Sequence, residues 1–265
     1  MYLNYWGFKE APFENVPDRN FFFRSSHHEE ALSRMMYAAE QRKGIAMLTG
    51  EVGSGKTTIS RVLKDTLPAD RYNVQSIVNP ALSPLDFIRA ILLCLGEEAD
   101  TDSKVILLNR LQERLIGNAS KGLNNILIID EAHLITTKES LQELRMLLNI
   151  QSEHQFLITL IILGQPPLLK TILDLRHLKE RISIKYHLPP LDLKDTIRYI
   201  LFRMKRAGAK RGIFTKEAIF PLYEYTRGVP LRINNLCDRS LLIGMMKQTK
   251  DVKTGIVNSA IKDLS

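Results

Sequence analysis

From Ile45 to Leu188 short apolar runs alternate with longer stretches of helical periodicity. Ile45–Thr49, Tyr72–Val78, Ile126–Asp130, Phe156–Leu163 and Ile184–Leu188 are brief and rich in aliphatic or β-branched residues, and each is predicted as a buried strand. Between them, Thr57–Leu67, Pro84–Leu95, Val105–Ile116, Ser140–Ile150 and Pro167–Leu173 predict helices. Strands that alternate with helices in this way predict a parallel sheet, here of five strands, with crossover helices on both faces.

Outside that region the pattern changes. Residues 1–27 are aromatic and contain proline (Trp6, Phe8, Pro12, Phe13, Phe21, Phe22, Phe23), which predicts an irregular segment packed on the core ahead of a helix at His28–Arg42. After Pro189-Pro190 only helical periodicity remains. Asp192 with Asp195 predicts a capped helix over Thr196–Ala207 ended by Gly208. Thr215 opens a second that stops at Gly228, Pro230 a third through Met246, and Thr254 a fourth. The expected organisation is an N-terminal segment (1–27), a three-layer αβα domain (28–189) and a small helical domain (190–265). No internal repeat is evident.

Bulk composition narrows this only a little. A chain of 265 residues that is 45% hydrophobic and 25% charged can bury a substantial core. Its two cysteines, Cys94 and Cys237, lie within apolar helical patterns, read as small buried hydrophobes and give no metal or redox spacing. No apolar run approaches the ~20 residues of a membrane-spanning helix, and the N-terminus lacks a signal-peptide pattern, so a soluble cytoplasmic protein is expected. The net charge of +8 is uneven: residues 186–265 hold 15 Lys+Arg against 7 Asp+Glu, and the remainder is balanced. A basic C-terminal third suits nucleic acid, anionic lipid or an acidic partner, and equally a solvated helical surface.

The chemistry concentrates in two strings. Gly50-Glu51-Val52-Gly53-Ser54-Gly55-Lys56-Thr57 matches G-x-x-x-x-G-K-[ST] in full, after a predicted strand and at the start of a predicted helix. Glycines allow positive φ, so successive N–H groups turn inward toward phosphate oxygens, and the helix presents its positive end to the same anion. Lys56 adds a charge for the β- and γ-phosphates, and the Thr57 hydroxyl is a ligand for Mg²⁺. Asp130 and Glu131 end the apolar run Ile126–Ile129, where open α/β sheets bind ligands. Asp130 is suited to hold the metal, and Glu131 to orient and deprotonate a water. Ala132-His133 completes a DEAH string, in which His133 reads as a packing or capping residue.

Other polar residues carry weaker signals. Gln165 follows the fourth strand; it would stand between loop and acids if their strands flank its own, and its spacing fits a turn residue equally well. Asn79, ahead of Pro80, is a fainter case of the same kind. Arg176 and Arg181, before the last predicted strand, could reach a nucleotide on a neighbouring subunit, although read alone they are better explained by surface ion pairing. Arg232, in Gly228-Val-Pro230-Leu-Arg232, could reach the phosphates from a helical lid, and read alone is a solvated side chain.

Taken in order, these strings resemble the AAA+ ATPases, and within them the ExeA-type group (general secretion pathway protein A and its relatives). The likeness spans Tyr5-Trp-Gly-Phe8, Pro12-Phe13, Pro17-Asp18, Phe22-Phe23, Leu48–Thr58, Ile129–His133, Gly164-Gln-Pro166, Leu188–Leu191, Ile233-Asn234 and Leu236-Cys-Asp238. It implies a P-loop αβα domain with a helical lid, and a loop from Gly50 through Thr58 that binds ATP. It also implies Gln165 as sensor 1, Arg181 as an arginine finger in trans and Arg232 as sensor 2. The family usually reads G-x-P-R-x-I-N where this chain has Pro230-Leu231-Arg232, which moves the arginine by one residue, about 100° around a helix. Secretion-type members continue into a membrane span and a peptidoglycan-binding region, neither of which occurs in these residues.

The resemblance leads to an Mg²⁺-dependent ATPase that works between subunits of a homo-oligomer and drives assembly of a secretion or cell-envelope complex. The alternative is an ATP-controlled DNA-binding regulator similar to the TniB- or TnsC-like transposition ATPases, toward which Lys205-Arg206 and Lys210-Arg211 point.

Overall fold

The computed structural model describes residues 2–16, 18–135, 137–151 and 155–264; Pro17, part of one family-like string, lies outside them. In chain order the first elements are α1 (Tyr2–Trp6), α2 (Ser26–Glu40), β1 (Ile45–Gly50), α3 (Lys56–Thr66), β2 (Tyr72–Ile77), α4 (Pro84–Cys94), α5 (Lys104–Ser120) and β3 (Asn124–Ile129). There follow α6 (Lys138–Asn149), β4 (Ile158–Gly164), α7 (Pro167–Leu173), α8 (Arg176–Lys179) and β5 (Ile182–Leu188). Four helices complete the chain: α9 (Leu193–Arg206), α10 (Lys216–Thr226), α11 (Pro230–Met246) and α12 (Thr254–Leu264). Two compact units result. One holds Glu29–Gly50 and Ile59–Leu188, the other Met1–His28, Glu51–Thr58 and Pro189–Ser265.

The first unit is built on a five-stranded sheet, order β2-β3-β4-β1-β5, with every pairing parallel. Parallel strands need crossovers, and the helices between them supply these. β1 and β4 are buried along their whole length, as a sheet covered on both faces requires. Ile45, Met47, Leu127 and Leu160 face a cluster with Phe87 and Ile91 of α4 and Leu107 of α5. Capping fixes where these helices begin. Ser83 accepts the Asp86 amide at 3.2 Å ahead of α4, and Thr137 does the same for Ser140 ahead of α6.

β5 differs from the expectation of a buried strand. Its residues alternate between partial burial and exposure up to Leu188, because it lies at the sheet edge, and a register shift after Ile45 admits an extra residue.

In the second unit Tyr199, Ile200, Leu236, Cys237, Leu241 and Val257 form the core of the four C-terminal helices. The N-terminal segment adds Phe8, Phe13 and Phe21 to that same cluster. Arg203 of α9 secures it: its guanidinium, 6% exposed with its residue, donates to Pro12 O at 2.6 Å and Glu14 O at 2.8 Å. Gly228, at φ +73°, closes the unit against Leu191, whose N–H donates to the Gly228 carbonyl at 2.9 Å. A Cβ on Gly228 would lie 1.8 Å from the Leu191 oxygen, so no other residue fits. Leu193, Ile197, Leu201 and Phe220 leave an exposed apolar stripe on α9 and α10. Among the described residues no helix is long and apolar enough to cross a membrane.

Candidate active site

The glycine loop has the conformation that its sequence demands. Gly53 and Gly55 have φ of +77° and +105°, a region that side chains disfavour. Ser54 N–H closes a turn on Glu51 O at 3.1 Å. Lys56, only 5% exposed, donates from Nζ to the same carbonyl at 2.9 Å. The Ser54 hydroxyl is buried and has no hydrogen-bond partner, an uncommon condition for a polar atom. A buried cation folded onto the loop's own carbonyl, an orphaned hydroxyl and a helix beginning at Lys56 together suit a polyphosphate that would supply oxygens to all three. Val52 is 57% exposed, as a loop tip should be.

Two neighbours of the loop were not legible in the sequence. His28, at the start of α2, places Nε2 3.1 Å from Ser54 O and Nδ1 2.7 Å from Ser25 Oγ. With a proton on Nε2 the ring donates to Ser54 and accepts from Ser25. Burial pushes its pKa below the ordinary imidazole value; the bond to Ser54 and the charge of Asp195 oppose this, and His27 adds to it. On α11, Leu231 N–H donates to Gly53 O at 3.2 Å, and a Cβ on Gly53 would fall 2.3 Å from Leu231 Cβ. Leu231 occupies the place where the family string has arginine. Arg232 is exposed one position on, so the turn of α11 that meets the loop is apolar.

The acids lie at the carboxyl end of β3. Asp130 is 3% exposed and extends the sheet pairing, its N–H donating to Ile77 O at 2.9 Å. Its Oδ1 accepts the Glu131 amide at 2.9 Å. Glu131 has φ +51°, so the chain turns sharply into a 3-10 turn over Ala132–Leu134. β4 lies between β3 and β1, as the placing of Gln165 required, and Gln165 stands at its carboxyl end. Between Gln165 and Glu131 is His133: Nε2 is 2.7 Å from Gln165 Nε2, and Nδ1 is 3.2 Å from Glu131 Oε2. The backbone amide of Gln165 is also 3.5 Å from Nδ1. Gly164 makes room for this turn, since a Cβ there would sit 3.3 Å from His133 N and 2.7 Å from Leu168 Cδ2.

The remaining candidates have local partners. Arg181 precedes β5, at the amino edge of the sheet and opposite the strand end where the acids lie. Its guanidinium donates to Leu148 O at 3.0 Å and Asn149 Oδ1 at 2.9 Å. Arg176 pairs with Glu180 at 3.1 Å on the surface. Asn79 forms a turn, its Oδ1 accepting the Ala81 amide at 3.3 Å.

A family model described as AAA domain matches residues 39–172, about half of the chain. The chain belongs to this family. Like its fold, its P-loop and its acid pair, membership makes it an AAA+ ATPase. Over 269 aligned residues it is 33% identical to general secretion pathway protein A of Aeromonas hydrophila, covering 100% of this chain and 49% of that protein. The chain thus spans about half the length of this curated relative. Among solved structures it is similar to the Aeropyrum pernix ORC2 protein in ADPNP-ADP complexes, at TM-score 0.71 and 14% identity, covering 96% of this chain and 72% of that one. It is also similar to the Aeropyrum pernix ORC1 protein in complex with DNA, at TM-score 0.69 and 19% identity, covering 94% and 68%. These structural likenesses concern the fold.

Proposed function

We propose that the AAA domain binds Mg–ATP on Gly50–Thr58 and hydrolyses it with Glu131 as base, to drive or reset assembly of a secretion or cell-envelope complex. The observation that carries this reading is the loop itself: a buried Lys56 bonded to Glu51 O beside an unpartnered Ser54 hydroxyl. Lys56 and the loop amides receive the β- and γ-phosphates. A magnesium ion would be held by the Thr57 hydroxyl and the Asp130 carboxylate, with substrate oxygens and water completing its shell, since Mg²⁺ favours few protein ligands. When bound, it would neutralise charge on the transferring phosphoryl group. Glu131 takes a proton from water as its oxygen bonds to the γ-phosphorus and the bond to the β–γ bridging oxygen breaks. Gln165 is suited to orient the γ-phosphate or that water, and Arg181 to reach a nucleotide on an adjoining copy.

The envelope assignment follows the relative named for general secretion, which matches the whole of this chain. Two variants test the chemistry. Lys56→Ala is expected to abolish binding of a fluorescent ATP analogue. Glu131→Gln is expected to bind it normally while hydrolysing ATP at least ~100-fold more slowly, in line with loss of a general base. Hydrolysis at the wild-type rate by Glu131→Gln would remove that residue from its role.

A second reading, an ATP-controlled DNA-binding regulator, is favoured by the basic surplus in residues 186–265 and by the similarity to an ORC1 protein solved with DNA. Part of that surplus serves the fold: Arg206 donates to Asn20 O at 3.0 Å, and Arg211 pairs with Asp251.

A further inference from the structure

We infer that His28 is a positioning residue for nucleotide binding: its ring holds the Ser54 carbonyl to the outside of the loop and so turns the Gly55 amide toward the phosphates. The inference rests on the phosphate-binding role of Gly50–Thr58 proposed above. Its ground is a chain of hydrogen bonds from a residue outside the motif. Ser25 Oγ lies 2.7 Å from His28 Nδ1, and His28 Nε2 lies 3.1 Å from Ser54 O.

The donor inventory gives this chain one direction. A carbonyl only accepts, so the contact with Ser54 needs a proton on Nε2. Burial lowers the pKa of the ring, so at neutral pH that proton is the only one it carries. Nδ1 then holds a lone pair and accepts from the Ser25 hydroxyl. The oxygen of that hydroxyl accepts the His28 backbone amide at 3.3 Å, at the start of α2. The group that caps the helix thus also orients the ring.

Peptide geometry carries the effect into the loop. In a trans peptide the C=O and the following N–H point in opposite directions. Holding Ser54 O against the ring therefore aims the Gly55 N–H away from it, to the concave side where successive amides receive an anion. Without the ring, a peptide that ends in glycine has wide freedom to rotate. Gly55, at φ +105°, also admits the ring, since a Cβ there would lie 2.9 Å from His28 Nε2. His28 is 6% exposed and stands edge-on to Phe22, with ring centroids 6.0 Å apart, which restricts its movement. Lys56 behaves differently. Its Nζ rests on Glu51 O at 2.9 Å and must leave that carbonyl to meet a phosphate, whereas the bond from His28 can persist through binding.

The test is a pair of variants with a spectroscopic arm, in the whole chain. His28→Leu, which fills the space without a donor, is expected to weaken binding of a fluorescent ATP analogue and of ADP about tenfold, the worth of one hydrogen bond. KM for ATP should rise by a similar factor with kcat within about twofold, as for a contact present equally in ground and transition states. His28→Gln, whose amide nitrogen can take the place of Nε2, should bind within about threefold of the wild type. A packing role alone predicts the reverse order, since leucine suits an apolar space better than glutamine. Nitrogen NMR of nucleotide-free protein, with the His28 signal assigned by its absence from His28→Gln, should show the Nε2–H form. Unchanged affinity in His28→Leu, binding by His28→Gln as weak as by His28→Leu, or an Nδ1–H ring would each overturn the inference. Should His28→Leu not fold, the affinity of His28→Gln and the ring tautomer still decide it. A wild-type chain that binds neither nucleotide would refute the phosphate reading instead, and the tautomer would still show whether the ring holds the Ser54 carbonyl.

Discussion

At the scale of single residues, one backbone angle makes two different demands on glycine. Gly53 and Gly122 have nearly the same φ, +77° and +81°, but a Cβ would meet Leu231 at the first and nothing within 4 Å at the second. Gly122→Ala should therefore cost only the strain of a left-handed residue, about 1–2 kcal/mol. Gly53→Ala adds a steric overlap, and is expected to lower the melting temperature further and to weaken nucleotide binding more than tenfold; equal effects at the two positions would argue against the Leu231 contact. His28 makes a prediction in pH. Its folded-state pKa is depressed, so unfolding takes up a proton once the pH drops below the ordinary imidazole value of about 6.5. Stability is complete above that value and declines as the pH falls toward the lowered one. Thermal unfolding between pH 7.5 and 5.5 should show an acid-side loss that His28→Gln reduces, and parallel curves for the two proteins would count against it. The sequence made the loop and acid pair legible because their spacing is fixed by backbone geometry. It concealed His28, Leu231 and the partners of His133, since a side chain that meets a site from a distant segment leaves no local period.

At the scale of elements, legibility followed the apolar signal and ended where another interaction replaced it. β3 begins at Asn124, two residues before the expected Ile126, because Asn125 is buried without being apolar. Its amide donates to Leu157 O at 2.9 Å and accepts from Asn118 at 2.6 Å, doing with hydrogen bonds what an aliphatic residue does by packing. Phe156 was expected to open the fourth strand. It pairs instead in an isolated antiparallel bridge with Gln151, and β4 starts at Ile158. α11 agreed at both ends, Pro230 and Met246, since Pro at its first turn cannot extend backward. α1, with five residues and no cap signal, was not foreseen. The joint between the N-terminal segment and α9 carries its own prediction. Arg203→Ala removes charged hydrogen bonds to the backbone carbonyls of Pro12 and Glu14 and the guanidinium 4.7 Å above the Phe21 ring. A loss of about 2–4 kcal/mol is expected in chemical denaturation. Trp6, the sole tryptophan, bonds to Leu241 O at 3.0 Å, and its fluorescence should shift to the red if the segment detaches. A spectrum and midpoint unchanged from the wild type would show that Arg203 does not hold it.

At the scale of the whole molecule, the two proposed functions differ in what the chain assembles on. If it works as an oligomer with Arg181 in trans, mass photometry should show larger particles with ATP than without. Arg181→Ala should then slow hydrolysis by the assembled form while leaving nucleotide affinity intact. The guanidinium must release Leu148 and Asn149 to serve a neighbour, so a single particle size at all nucleotide concentrations would leave it a structural residue. On the DNA reading, affinity for duplex should fall steeply between two salt concentrations in the presence of ATP, and no binding at low salt would eliminate it. Salt also bears on Leu231. A charged group in its place would act through a field that dissolved ions weaken. Leu231 meets Gly53 by side-chain touch and by a backbone hydrogen bond, neither of which carries net charge, so a displacement of the loop on nucleotide uptake should pass to the first turn of α11 as well in brine as in dilute buffer.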